Sequence, residues 1–93
     1  MRISCHAIAS GRVQGVGFRY FVLREATRRG IGGWVRNCED DTVEMLLQGE
    51  EETVQQLLQL IREGTLWIQV DSLQVQRLDN GAVQDEREFS IRY

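Results

Sequence analysis

The chain contains no lysine and no proline, one histidine and two cysteines among its 93 residues. Without lysine there is no Walker-type phosphate loop, which ends in Gly-Lys-Ser/Thr, and no Schiff-base chemistry on a lysine amine. His6, Cys5 and Cys38 are too few for a tetrahedral structural zinc site unless carboxylates fill in at unusual spacing. A Ser-His-Asp triad would have to use His6, which alternates with Cys5 and Ala7 and reads as a solvent-facing strand residue. No apolar run approaches the ~18 residues of a transmembrane helix. The N-terminus, Met1-Arg2-Ile3-Ser4-Cys5-His6, lacks the apolar core of a signal peptide. A cytoplasmic protein without membrane contacts is expected, folded as one small domain over residues 1–93.

Acidic charge is also nearly missing from the first part of the chain. Residues 1–38 hold seven arginines and one acid, Glu25, for a balance of +6; residues 39–93 hold four arginines and thirteen acids, for −9. A basic half beside an acidic half suits a local anion site better than a nucleic-acid-coating surface.

Periodicity supplies the organisation. Ile3, Cys5, Ala7 and Ala9 alternate with polar neighbours, so residues 3–10 read as a strand with its odd face on the core. Residues 19–29 read as a helix, with Phe18, Val22 and Ala26 at four-residue spacing and Gly30 as its C-terminal stop. Gly33 to Cys38 and Thr42 to Gln48 form a hairpin around Glu39-Asp40-Asp41, with Gly49 ending the second strand. Glu50, Glu51 and Glu52 open a second helix at its positive end; Val54, Leu57, Leu58 and Ile61 form its stripe and Gly64 stops it. Residues 66–78 hold a fourth strand, Asp79-Asn80-Gly81 a turn, and Glu86 to Arg92 a short last strand. This order predicts an α+β, ferredoxin-like βαββαβ sandwich. Its antiparallel sheet has strand order 4-1-3-2, two helices on one face and a short extra C-terminal strand.

The candidate chemistry lies between the first strand and the first helix, in Gly11-Arg12-Val13-Gln14-Gly15-Val16-Gly17-Phe18-Arg19. Three glycines in seven residues let the backbone take positive φ and aim several N–H groups at one point. Convergent amides, a helix N-terminus and the Arg19 fork suit a phosphate-sized anion without a metal or other cofactor. Asn37 ends the second strand, which runs in the same direction as the first, so it is expected at the same edge as the loop. Its amide accepts from a water and donates to a phosphoryl oxygen, but has no pKa that would make it a base. With no titratable base, the substrate must carry a leaving group that needs no proton. A small acyl phosphate, which leaves as a carboxylate, meets that condition.

The nine residues Gly11–Arg19 resemble the first acylphosphatase signature throughout. Gly33-Trp34-Val35-Arg36-Asn37, then Thr42-Val43-Glu44 and Gly49, resemble the second. Asp41 stands where that signature usually has glycine, Thr65 where proline often follows the second helix, and Arg29 where leucine is common. The resemblance implies a ferredoxin-like fold and hydrolysis of acyl phosphates. It implies Arg19 as the phosphate-binding arginine, Asn37 as the residue that orients the attacking water, and the amides of Gln14, Gly15, Val16, Gly17 and Phe18 as the rest of the cradle. A monomer is expected. The competing functions are a non-catalytic anion-binding or interaction module on the same fold, and an RNA-binding ferredoxin-like domain. The latter is disfavoured because the first and third strands offer no outward aromatics.

Overall fold

The computed structural model describes residues 1–79, 81 and 83–93. The elements in chain order are β1 (Arg2–Arg12), α1 (Phe18–Arg28), β2 (Gly32–Asn37), β3 (Val43–Glu50), α2 (Glu51–Glu63), β4 (Gln69–Leu78) and β5 (Phe89–Arg92). They form one five-stranded sheet in the order β4-β1-β3-β2-β5. The first four strands take the predicted order, with β1 antiparallel to β3 and β4, and β2 antiparallel to β3.

The sheet is not wholly antiparallel, because β5 pairs parallel with β2. The connection explains this. β4 ends at Leu78 beside Ser4, and Ser4 and Gly32 both face Gln48 of β3. The chain therefore crosses the end of the sheet where β2 begins, and enters β5 in the direction of β2. Gln48 holds the crossing segment: its side-chain amide donates to the Gln84 carbonyl at 3.1 Å and its oxygen accepts from the Glu86 amide at 2.6 Å. Gln48 and Leu46 alternate with the core-facing Met45 and Leu47 on β3, yet both are buried. Asn80, in the middle of the expected Asp79–Gly81 turn, lies outside the described residues.

Ile3, Cys5, Ala7, Ala9, Val35, Val43, Met45 and Leu47 bury one sheet face against Phe18, Val22 and Ala26 of α1 and Val54, Leu57, Leu58 and Ile61 of α2. α1 ends in a Schellman closure, the Ile31 amide donating to the Ala26 carbonyl and the Gly30 amide to that of Thr27. Gly30 takes φ +69°, which matches its expected role as the stop. Gly49 does not end β3. The strand runs to Glu50, and Gly49 is buried where an added Cβ would sit 3.3 Å from Ile31 and 3.6 Å from Val54. Glycine here lets β3, the α1–β2 turn and α2 pack closely. Cys5 is buried and Cys38 half-buried, and both are free thiols. No helix of the described residues is long and apolar enough to cross a membrane.

The β2–β3 turn closes through the Cys38 amide donating to the Thr42 carbonyl at 2.9 Å. Inside it, the Asp40 carboxylate accepts from the Thr42 hydroxyl at 2.6 Å and the Thr42 amide at 3.2 Å. These two bonds hold the Asp40 carboxyl below its ordinary pKa. Asp41 takes φ +70°, in the left-handed region where a Cβ is strained. Asp41→Gly is expected to raise stability by roughly 0.5–1 kcal/mol, the strain relieved less the extra chain entropy of glycine. The midpoint of chemical denaturation checks this; an unchanged or lower midpoint counts against strain at Asp41.

Candidate active site

β1 and β2 both run antiparallel to β3, so their C-terminal ends lie at the same end of the sheet. Val43 of β3 faces Ala9 of β1 on one side and Asn37 of β2 on the other. The loop at residues 13–17 leaves β1 at that end and turns into α1. Val13 and Phe18 are buried and pin the two ends of the loop in the core, while Gly15 and Gly17 are exposed. Gly15 takes φ +74° and Gly17 φ +79°, and an added Cβ at either would meet nothing within 4 Å. The need for glycine here is torsional, not steric. Among the described residues no side chain caps α1 at Gly17, and no acid occupies its first turn, so the dipole's positive end has no anion from them.

Gln14 does more than its backbone role suggests. Its side-chain amide donates to the Cys38 carbonyl at 2.9 Å and to the Thr42 carbonyl at 2.8 Å. The loop is thereby stapled to the hairpin that carries Asn37. A glutamine among glycines is the one sequence signal for this contact, since both of its amide hydrogens need acceptors.

Arg19 lies in the first turn of α1 and is half-exposed. Among the described residues it has no carboxylate partner and no hydrogen bond; its guanidinium carbon sits 5.1 Å from the ring centroid of Tyr93. The parallel pairing of β5 explains that neighbour. Arg92 faces Arg36, so Tyr93 follows β5 where Asn37 follows Arg36. Nothing in the sequence marks Tyr93, because its position depends on the direction of β5. Asn37 is exposed, and its side chain makes no hydrogen bond with any described residue. An open groove of about 630 Å³ runs beside it, lined also by Ile8, Arg36, Cys38 and Thr42.

The other arginine near Asn37 is already engaged. On the outward face of the sheet, Glu44 accepts from Arg36 Nε at 2.6 Å and lies 2.6 Å from His6 Nε2. Partial burial pushes the Glu44 carboxyl upward, but the His6 and Arg36 contacts outweigh it and hold the pKa below its ordinary value. His6, read as a solvent-facing strand residue, is outward-facing but half-buried and paired. Arg36 is committed to that carboxylate, whereas Arg19 and Arg12, at the two ends of the loop, make no ion pair among the described residues.

The acylphosphatase family model matches residues 5–91. The chain belongs to the acylphosphatase family. The acylphosphatase of Geobacillus thermodenitrificans is 48% identical over 88 residues, which span 95% of this chain and 92% of that one. The crystal structure of acylphosphatase from Bacillus subtilis superposes with a TM-score of 0.90 at 37% identity, covering 98% of this chain and 99% of that chain. A structure of full-length HypF in a phosphate- and nucleotide-bound form matches with a TM-score of 0.83 at 26% identity, covering all of this chain and 12% of that one. The chain is thus an acyl phosphate hydrolase on a ferredoxin-like fold, and its substrate class is small acyl phosphates.

Proposed function

We propose that the amides of Gln14, Gly15, Val16, Gly17 and Phe18, together with Arg19, hold the phosphoryl group, and that Asn37 orients the attacking water. The observation that carries this reading is that a guanidinium and a side-chain amide, neither partnered among the described residues, lie at the same end of the sheet, with Gln14 tying the two loops together. Water attacks phosphorus, the bond from phosphorus to the acyl oxygen breaks, and the carboxylate leaves with the bonding pair. The water proton passes to a phosphoryl oxygen. Negative charge on the equatorial oxygens is met by the loop N–H groups and the bidentate Arg19 fork. The groove beside Asn37 leaves room for the acyl group. No step requires a protein acid, a metal or another cofactor, because the leaving carboxylate is stable without a proton.

Phosphate release from acetyl phosphate tests this. Activity is expected to persist in excess chelator, and phosphate monoesters are expected to be poor substrates, since an alkoxide leaving group needs an acid that the site does not offer. Loss of activity in chelator, or a preference for monoesters, contradicts the proposal.

A further inference from the structure

With no side-chain hydrogen bond to any described residue, Asn37 owes its place relative to the cradle to the backbone at the end of β2. The β2–β3 ladder stops there: Asn37 and Val43 are its last pair, and the turn beyond runs from Cys38 to Thr42. The cradle loop turns through two glycines at positive φ, Gly15 and Gly17, where an added Cβ would meet nothing within 4 Å. Neither segment is packed against the other there, yet water and phosphorus must meet across them.

Gln14 joins the two at one point. Its side-chain nitrogen donates one hydrogen to the Cys38 carbonyl at 2.9 Å and the other to the Thr42 carbonyl at 2.8 Å. Cys38 follows Asn37 and Thr42 precedes Val43, so a single nitrogen bridges both strands immediately beyond their last pair. The Thr42 carbonyl also accepts from the Cys38 amide at 2.9 Å, so the oxygen that closes the turn also receives the clasp. Among the described residues these are the only hydrogen bonds from residues 13–17 to residues 38–42. Both amide hydrogens are consumed, and the remaining side-chain oxygen is an acceptor with nothing to offer an anion. The side chain is therefore not a phosphate ligand.

We propose that the Gln14 side chain is a positioning residue for the attacking water: it fixes the separation between the cradle and Asn37, and acts on turnover through Asn37. The proposal rests on the reading of Asn37 as the residue that orients this water. The backbone amide of Gln14 stays in the cradle whichever side chain the position carries. Without the clasp the cradle still holds phosphate, because its N–H groups and Arg19 lie within one continuous segment, 14–19. What is lost is the distance from that phosphate to the water, and a displacement of about 1 Å at the reacting atoms costs up to ~10²-fold in rate. A purely structural Gln14 would lower stability and leave kcat of the folded protein unchanged.

The test is steady-state hydrolysis of acetyl phosphate by Gln14→Met, Asn37→Ala and the double variant. Methionine matches glutamine in length and donates no hydrogen bond. Gln14→Met is expected to lower kcat at least ~10-fold, while the inhibition constant for inorganic phosphate stays within a few-fold of wild type. In the Asn37→Ala background the same change is expected to lower kcat by less than ~2-fold, because no placed water is left to misplace. Gln14→Asn, too short to reach both carbonyls, is expected to repeat the pattern and carries the test where the methionine variant does not fold. Wild-type kcat in a folded Gln14 variant overturns the proposal and leaves the reading of Asn37 in place. So does a loss that multiplies fully with that of Asn37→Ala, or one that falls equally on kcat and on phosphate inhibition. Wild-type kcat in Asn37→Ala overturns both.

Discussion

Arg19→Ala is expected to lower kcat for acyl phosphate hydrolysis by at least ~10²-fold, the scale for losing one preorganised donor at a site of developing charge. It is also expected to weaken competitive inhibition by inorganic phosphate, because the same fork grips the ground-state anion. Arg19→Lys is expected to recover little. An ammonium is a point charge without the planar pair of N–H groups, and it lacks the guanidinium carbon that lies 5.1 Å from the Tyr93 ring centroid. Steady-state kinetics of both variants check this. A lysine variant with near-wild-type kcat would show that charge alone suffices.

Asn37→Ala separates water from phosphate. If Asn37 orients the nucleophile, its loss falls on kcat by about 10²-fold, while the inhibition constant for inorganic phosphate stays within a few-fold of wild type. The reason is geometric. The cradle is built from the 14–19 segment, whereas Asn37 comes from β2 and meets it only through the hairpin that Gln14 secures. Equal losses in kcat and in phosphate affinity would identify Asn37 as a phosphate ligand instead.

Much of this architecture was legible before any coordinates, and the reasons are local. The odd residues of β1 and the Val54–Ile61 stripe of α2 lie on the core as their periods require, because one buried face dictates register. Gly15, Gly17 and Gly30 take the positive φ that their places in turns demand. What could not be read depends on distant parts of the chain. Gly49 looked like a strand stop, since glycine is a poor strand residue, but Ile31 and Val54 pack where its side chain would be. The parallel direction of β5 follows from where β4 ends and from the Gln48 clamp on Gln84 and Glu86, neither of which has a local signature. Tyr93 beside Arg19 follows in turn from that direction. Within the site, the residue types at the loop and at Asn37 were legible, but the staple from Gln14 was not, because its acceptors lie 24 and 28 residues away.

The most direct test of the cradle is a titration of ¹⁵N-labelled protein with inorganic phosphate, followed by amide chemical shifts. The largest changes are expected at the backbone N–H groups of Gly15 to Arg19 and at the Arg19 side chain, with smaller ones along the outward face at His6, Arg36 and Glu44. Those changes are expected to vanish in Arg19→Ala at the same phosphate concentration. Shifts centred on the His6–Glu44–Arg36 cluster, with the loop amides unmoved, would place the anion elsewhere and contradict the account.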